Sequence, residues 1–196
     1  MKIYILGGFL GSGKTTLLMK MADMFINKGK KVSILVNEAG DIGVDGATIN
    51  SQGYNAVELP NGCICCSMVG TMHESLMKIK SEIAPDILII EPTGIAFPGK
   101  VREAIELIDY GEEFIQIIGI FDGPRFKLFV EKKKDFYKKQ LMDSDILVMN
   151  KMDLTPDDVK EEAIQWMNKE IPGIEVIPVV ATTGENLDKV LSELRE

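Results

Sequence analysis

The sequence predicts an α/β fold, a mostly parallel central sheet with helices on both faces in three layers. Three observations predict it. Short apolar runs such as Ile87-Leu88-Ile89-Ile90 recur along the chain without polar alternation, which is how a strand reads when both of its faces are covered. Each run is followed by a longer amphipathic stretch, giving β-α-β-α order and parallel neighbours joined by helical crossovers. The first run also passes through a glycine-rich turn straight into the first amphipathic stretch, the local sequence of a strand-loop-helix unit.

Taken in order, KIYILG is the first strand and residues 14–28 the first helix, ended by Gly29 ahead of a lysine pair. KVSILVN follows as a strand and leads into a glycine-rich loop. DILIIE is paired with a helix over 98–108, FIQIIGIFD with 124–142, DILVMN with 155–169 and IEVIPV with 186–195. Asp157 and Asp158, just after Pro156, place negative charge where a helix start favours it. With 196 residues and 45% hydrophobic composition, the chain is long enough for one full core and too short for two large domains. No repeat, low-complexity tract or linker interrupts it, so 1–196 reads as a single domain.

Charge and cysteine usage narrow the function classes. The 22 basic and 30 acidic residues give a formal net charge of -8, which works against an unspecific grip on nucleic acid or on an anionic membrane surface. The opening apolar run is interrupted by glycines and a lysine before it reaches the length of a signal segment or a membrane span. The three cysteines are crowded at Cys63, Cys65 and Cys66, a placement for ligands rather than for long-range disulfides, and one that suits a reducing cytoplasm.

Gly8-Phe9-Leu10-Gly11-Ser12-Gly13-Lys14-Thr15 matches G-x-x-x-x-G-K-[ST] directly after a strand and before a helix, the context in which that spacing makes a P-loop NTPase. Gly8, Gly11, Ser12 and Gly13 let successive backbone N–H groups face phosphate oxygens. Lys14 reaches the β/γ oxygens, Thr15 ligates Mg²⁺, and Thr16 extends the helix start beside them. A glycine turn that merely joins strand to helix would leave Lys14 and Thr15 at those offsets unexplained.

Asn150-Lys151-Met152-Asp153 follows the apolar strand Ile146-Leu147-Val148-Met149 and so emerges at a carboxyl end of the sheet, where ligands of open α/β folds bind. A carboxylate at Asp153 can accept from both the N1–H and the 2-amino group of guanine. Adenine offers no such donor pair, so GTP is preferred to ATP. Asn150 supports the base and its loop, the Lys151 stem covers the ring, and the Ala181-Thr182 turn brings backbone N–H groups to the guanine O6.

Glu91, at the end of a strand, and Gly94, three positions on, suit the Mg²⁺ shell and the γ-phosphate, which makes Glu91-Pro92-Thr93-Gly94 the candidate second switch. Asn37-Glu38-Ala39-Gly40-Asp41-Ile42-Gly43-Val44-Asp45, with three carboxylates and two glycines, is the candidate first switch. For Asp45 a solvated loop acid is an equal reading. Lys14, Glu91 and Asp41 form the candidate catalytic set. No glutamine stands at an obvious water-positioning site, so intrinsic hydrolysis is expected to be slow.

Gly62-Cys63-Ile64-Cys65-Cys66 lies between the two switches in sequence. Soft thiolates select Zn²⁺, Cu⁺ or similar ions, and a tetrahedral site needs a fourth ligand from Glu58, His73, a switch acid such as Glu38, or water. Buried free thiols or a thiol redox switch are the alternative readings.

With the P-loop, NEAGDIGVD, GCICC, EPTG and NKMD in this order, the chain resembles the CobW/HypB/UreG class of SIMIBI GTPases, most closely its CobW-like branch. The resemblance implies GTP binding, slow hydrolysis to GDP, and delivery of a metal such as zinc, cobalt or nickel to a metalloprotein or corrinoid-related client. It carries the metal role onto Cys63, Cys65 and Cys66, and it makes a homodimer across the nucleotide face plausible. Longer members carry a C-terminal domain and often a histidine-rich tract, whereas this chain has one histidine and stops after its last predicted helix. A GTP-dependent module that loads a cofactor, with structural cysteines, is the second reading. A P-loop kinase is the third, and Asp153 speaks against its adenine pocket.

Overall fold

The computed structural model describes residues 1–37, 55–59, 68–108 and 111–195, and their side chains except at 37, 55–59 and 68–71. Seven strands form one sheet: β1 (Lys2–Gly7), β2 (Val32–Asn37), β3 (Asn55–Leu59), β4 (Ile87–Glu91), β5 (Phe114–Asp122), β6 (Ile146–Asn150) and β7 (Val176–Pro178). Their order across the sheet is β3-β2-β4-β1-β5-β6-β7, and every strand pair is parallel. The helices are α1 (Lys14–Asn27), α2 (Met68–Lys78), α3 (Pro98–Glu106), α4 (Phe126–Leu141), α5 (Asp157–Glu170) and α6 (Leu187–Ser192). Among the described residues no helix is long and apolar enough to cross a membrane.

The unalternating apolar runs are explained by two covered faces. In β1, Tyr4 and Leu6 pack with Leu17, Met21 and Phe25 of α1 and Val190 of α6. Ile3 and Ile5, one residue out of phase, pack with Met72 and Leu76 of α2 and Val101 and Ile105 of α3. Further along that second face, Phe121, Leu147 and Met149 meet Tyr137 and Leu141 of α4 and Ala163 and Met167 of α5. Burying both sides of each strand removes the polar face that would have shown a period of two.

Where the elements differ from the sequence reading, tertiary contacts decide. β3 is an added edge strand, five residues in register with β2 from Ser33↔Asn55 to Asn37↔Leu59. At the other edge the run IEVIPV yields only three strand residues, ending at Pro178. Past it the chain turns inward, with Val179 N–H donating to Met149 O at 2.8 Å and Met152 N–H to Val179 O at 3.2 Å. α6 is shorter than the apolar spacing suggests because Gln116 of β5 takes over its exit, donating to Glu193 O and accepting from Arg195 N–H, both at 3.0 Å. The helix expected from residue 124 begins as a 3-10 turn, Gly123–Arg125, before α4.

The topology positions the site. From β1 the chain moves to β2 on one side of the sheet, while from β5, paired with β1 as far as Gly7↔Gly119, it moves to β6 on the other. The loops that leave the carboxyl ends of β1 and β5 therefore diverge, and such a switch point opens the crevice where α/β sheets bind ligands.

Candidate functional site

The loop between β1 and α1 is built by backbone that side chains would obstruct. Gly8 and Gly13 have φ of 147° and 102°, the left-handed half of the map that glycine alone enters freely. A Cβ at Gly8 would overlap Ile120 O, and one at Gly13 would overlap Asn150 Nδ2. Phe9 anchors the limb between them, stacked on Phe129 of α4 at 4.2 Å between ring centroids. α1 then starts with no side-chain cap and no acid in its first turn, so its opening N–H groups are left for an external anion. Ser12 Oγ, fully buried in the same loop, has no hydrogen-bond partner among the described residues. An uncapped helix start and an orphaned hydroxyl in a glycine cradle fit a bound phosphate.

Lys14, 5% exposed, extends back over the loop to Phe9 O at 3.3 Å. Its proton affinity is held below the usual lysine range chiefly by burial; nearby Glu91 opposes that shift and Arg125 adds to it. Thr15 Oγ1 donates to Glu91 Oε1 at 2.9 Å. Burial pushes the Glu91 carboxyl above the usual carboxylate range, against the pull of Lys14 and the Thr15 hydrogen bond. A hydroxyl and a carboxylate oxygen in contact, beside a lysine that lacks a full counter-charge, are hard oxygen donors of the kind Mg²⁺ takes. Both buried charges gain when a phosphate and a cation arrive.

The base-reading residues meet in a cavity of about 170 Å³ that Gly13, Thr16, Asn150, Lys151, Asp153, Ala181 and Thr182 help to line. Asn150, 4% exposed, ties three loops together. Its Nδ2 donates to Ser12 O at 2.9 Å, while its Oδ1 accepts from Lys151 N–H at 2.8 Å and from Ala181 N–H at 3.0 Å. Lys151 adopts φ 62°, a conformation non-glycine residues avoid. Thr155 holds its carbonyl from the far side at 2.6 Å. The Lys151 ammonium lies on the phosphate loop, donating to Gly11 O at 2.7 Å. Asp153 is exposed at the cavity mouth.

Gly94 closes on the phosphate loop from the other side: a Cβ there would stand 2.5 Å from Leu10 N. Buried Gln140 of α4 fixes that approach, donating to Gly94 O at 2.6 Å. Glu38, Asp41, Asp45, Cys63, Cys65 and Cys66 lie outside the described residues, as does the Glu58 side chain. His73 is exposed on α2. Among the described residues no group of three or more His, Cys, Asp or Glu is placed to hold a metal ion.

Three residues of the site carried no motif signal: Gln140, Asp122 and Arg125. Asp122 ends β5 and is 2% exposed. Its Oδ2 accepts from Arg125 Nε at 2.7 Å and Lys151 Nζ at 3.1 Å. The signal that could have found it is an acid closing a long apolar strand, the same signal that singled out Glu91.

Known proteins share this chain's sequence pattern and fold. A zinc chaperone of Escherichia coli, YeiR, is 33% identical over 165 residues, spanning 83% of this chain and 50% of its own length. The zinc-regulated GTPase metalloprotein activator 1 of Schizosaccharomyces pombe is 31% identical over 199 residues, spanning 96% of this chain and 47% of its own. The chain thus covers about half the length of these curated relatives. Among solved structures, HypB from Helicobacter pylori in complex with nickel superposes with a TM-score of 0.70 at 20% identity, covering 97% of this chain and 83% of that one, a likeness of fold. The model of the CobW/HypB/UreG nucleotide-binding domain matches residues 2–178, and with that span the chain belongs to the CobW/HypB/UreG family.

Proposed function

We propose that this chain binds and hydrolyses GTP as one domain and couples its nucleotide state to binding and delivery of a transition metal to a client protein. The observation that carries the nucleotide half is the shared wall of the two subsites. Gly13 both opens α1 and lines the cavity beside Asp153, so a phosphate chain on the helix start and a base in the cavity belong to one ligand. Asp153 selects guanine. Lys14 neutralises the β/γ-phosphates, the backbone around Gly11 and Gly13 orients them, and Thr15 and Glu91 would hold Mg²⁺, which when bound supplies charge neutralisation at the transferred phosphoryl group. Glu91 also orients the attacking water with Asp41, and hydrolysis is slow because no glutamine stands at an obvious water-positioning site.

The metal half rests on sequence relatives. Two proteins about a third identical to this chain over the aligned residues are a zinc chaperone and a zinc-regulated GTPase metalloprotein activator. In this chain Zn²⁺, or Co²⁺ or Ni²⁺, is cargo, bound by the thiolates of Cys63, Cys65 and Cys66 with Glu38. Cys63, Cys65 and Cys66 fall between the two switch segments in the sequence, and the switches communicate a change at the γ-phosphate to them. Leu10 and Ile95, 68% and 72% exposed on the phosphate face, suit an apposed second copy of the chain.

The test is a competition titration of Zn²⁺ and Co²⁺ against wild type and a Cys63→Ser, Cys65→Ser, Cys66→Ser variant, with a non-hydrolysable GTP analogue and with GDP. The expected result is high affinity in wild type, at least ~10-fold different between the two nucleotides, a coupling of roughly 1.4 kcal/mol, and lost in the triple variant. Equal affinity in both nucleotide states would rule against coupling, and binding unchanged in the triple variant would rule against the cysteines.

A further inference from the structure

We infer that Asp122 is a positioning residue for the nucleotide, the centre of a clasp that fixes the phosphate loop against the base-reading loop. The inference rests on the guanine-nucleotide reading and adds to it two residues, Asp122 and Arg125, that belong to neither sequence motif.

One carboxylate oxygen, Asp122 Oδ2, accepts from Arg125 Nε at 2.7 Å and from Lys151 Nζ at 3.1 Å. Each cation then reaches one of two consecutive phosphate-loop carbonyls. Arg125 donates to Leu10 O at 2.9 Å and Lys151 to Gly11 O at 2.7 Å. The Arg125 guanidinium also lies 5.2 Å over the Phe129 ring, and Phe129 is the ring on which Phe9 of the loop is stacked. The stretch Phe9-Leu10-Gly11 of the phosphate loop is thereby held from the β5 side.

The sheet makes this arrangement possible. Asp122 stands in register with Asn150, so the carboxylate lies one strand away from the base reader and at the end of the strand next to β1. In a planar trans peptide a carbonyl held on one side turns the following N–H to the other. Holding Leu10 O therefore fixes the direction of the Gly11 N–H, one of the cradle donors. Lys151, whose left-handed backbone is unfavourable on its own, is kept in place by a full negative charge at the tip of its side chain.

A buried charged group serves the ligand when its loss changes binding more than turnover. The experiment uses the full chain, with mant-GDP as the binding probe and GTP for steady-state hydrolysis, on wild type, Asp122→Asn, Arg125→Met, Arg125→Lys, Lys151→Met and the Asp122→Asn/Lys151→Met double variant. Asp122→Asn should raise the mant-GDP Kd and the GTP KM at least ~10-fold, with kcat within about threefold, as for loss of binding that is uniform between ground and transition states. Arg125→Met, at a partly exposed position, should move both constants in the same direction, and Arg125→Lys should restore part of the loss. The double variant should bind better than the product of the two single effects predicts, because the Asp122–Lys151 contact is shared between them. Wild type that fails to bind mant-GDP would reject the guanine-nucleotide reading and this inference with it. Wild-type binding with an unchanged KM in both Asp122→Asn and Arg125→Met, or effects that multiply in the double variant, would reject the clasp alone.

Discussion

Lys14 and Glu91 carry the two charges that the fold buries at the mouth of α1, and burial works against each of them. Their positions near one another limit the cost without removing it, since the Glu91 carboxyl still stands above its ordinary range. The consequence for pH follows from the direction of that shift. Below the ordinary glutamate range both folded and unfolded chains hold the proton, so there is no penalty. As pH rises through that range the unfolded chain ionises first, and the folded chain loses stability until the pH passes the raised Glu91 value. In Glu91→Gln this titration is absent. The ligand-free difference in unfolding free energy, wild type minus Glu91→Gln, should therefore be more favourable to wild type near pH 4.5 than at pH 7, with hydrolysis abolished in the variant. Urea unfolding at the two pH values measures it, and a difference that grows toward pH 7 would show that the carboxylate is stabilised by its surroundings rather than penalised.

Between elements, the site depends on side chains that join loops from separate strands, and Asn150 is the clearest case. Its amide contacts the loop after β1, its own loop after β6, and the turn after β7. Truncation to alanine leaves Ser12 O and Ala181 N–H without those partners in a buried place. At ~1–3 kcal/mol for each of these two buried groups left unmade, Asn150→Ala should lose about 2–6 kcal/mol of stability by denaturant unfolding. A loss under about 1 kcal/mol would mean that the loops hold their shape without it. The same cross-strand logic explains how much was legible beforehand. Gly8 to Thr15 and Asn150 to Asp153 could be read because each is a local run whose spacing is set by its ligand. The strands β1, β4, β5 and β6 could be read because burial on both faces leaves an unbroken apolar run. β3 could not, since Val57-Glu58-Leu59 is short and its place is set by pairing with β2. Nor could Arg125 and Gln140, whose partners Leu10 and Gly94 lie far along the chain and share no period or spacing with them, while Asp122 offered only its place at the end of a long apolar strand.

Across the whole molecule, three well-packed clusters frame the crevice at the start of α1. A buried lysine, a half-buried carboxylate, an uncapped helix and an orphaned Ser12 hydroxyl lie together at the start of α1, and the proposed nucleotide with Mg²⁺ would answer each of them. Binding to the folded state alone stabilises by RT ln(1 + [L]/Kd), about 2.7 kcal/mol at 100 times Kd. For a chain of this size that is a rise in Tm of roughly 5–10 °C. Wild type should show this rise with GDP and Mg²⁺ and far less with ADP or XDP. Asp153→Asn turns the acceptor that faces guanine into a donor, so the same rise should move from GDP to XDP, whose 2-oxo group accepts. Differential scanning fluorimetry across the nucleotides reads both outcomes. A GDP response preserved in Asp153→Asn would remove the base from the cavity beside Gly13, and with it the reasoning that joins the two subsites into one ligand site.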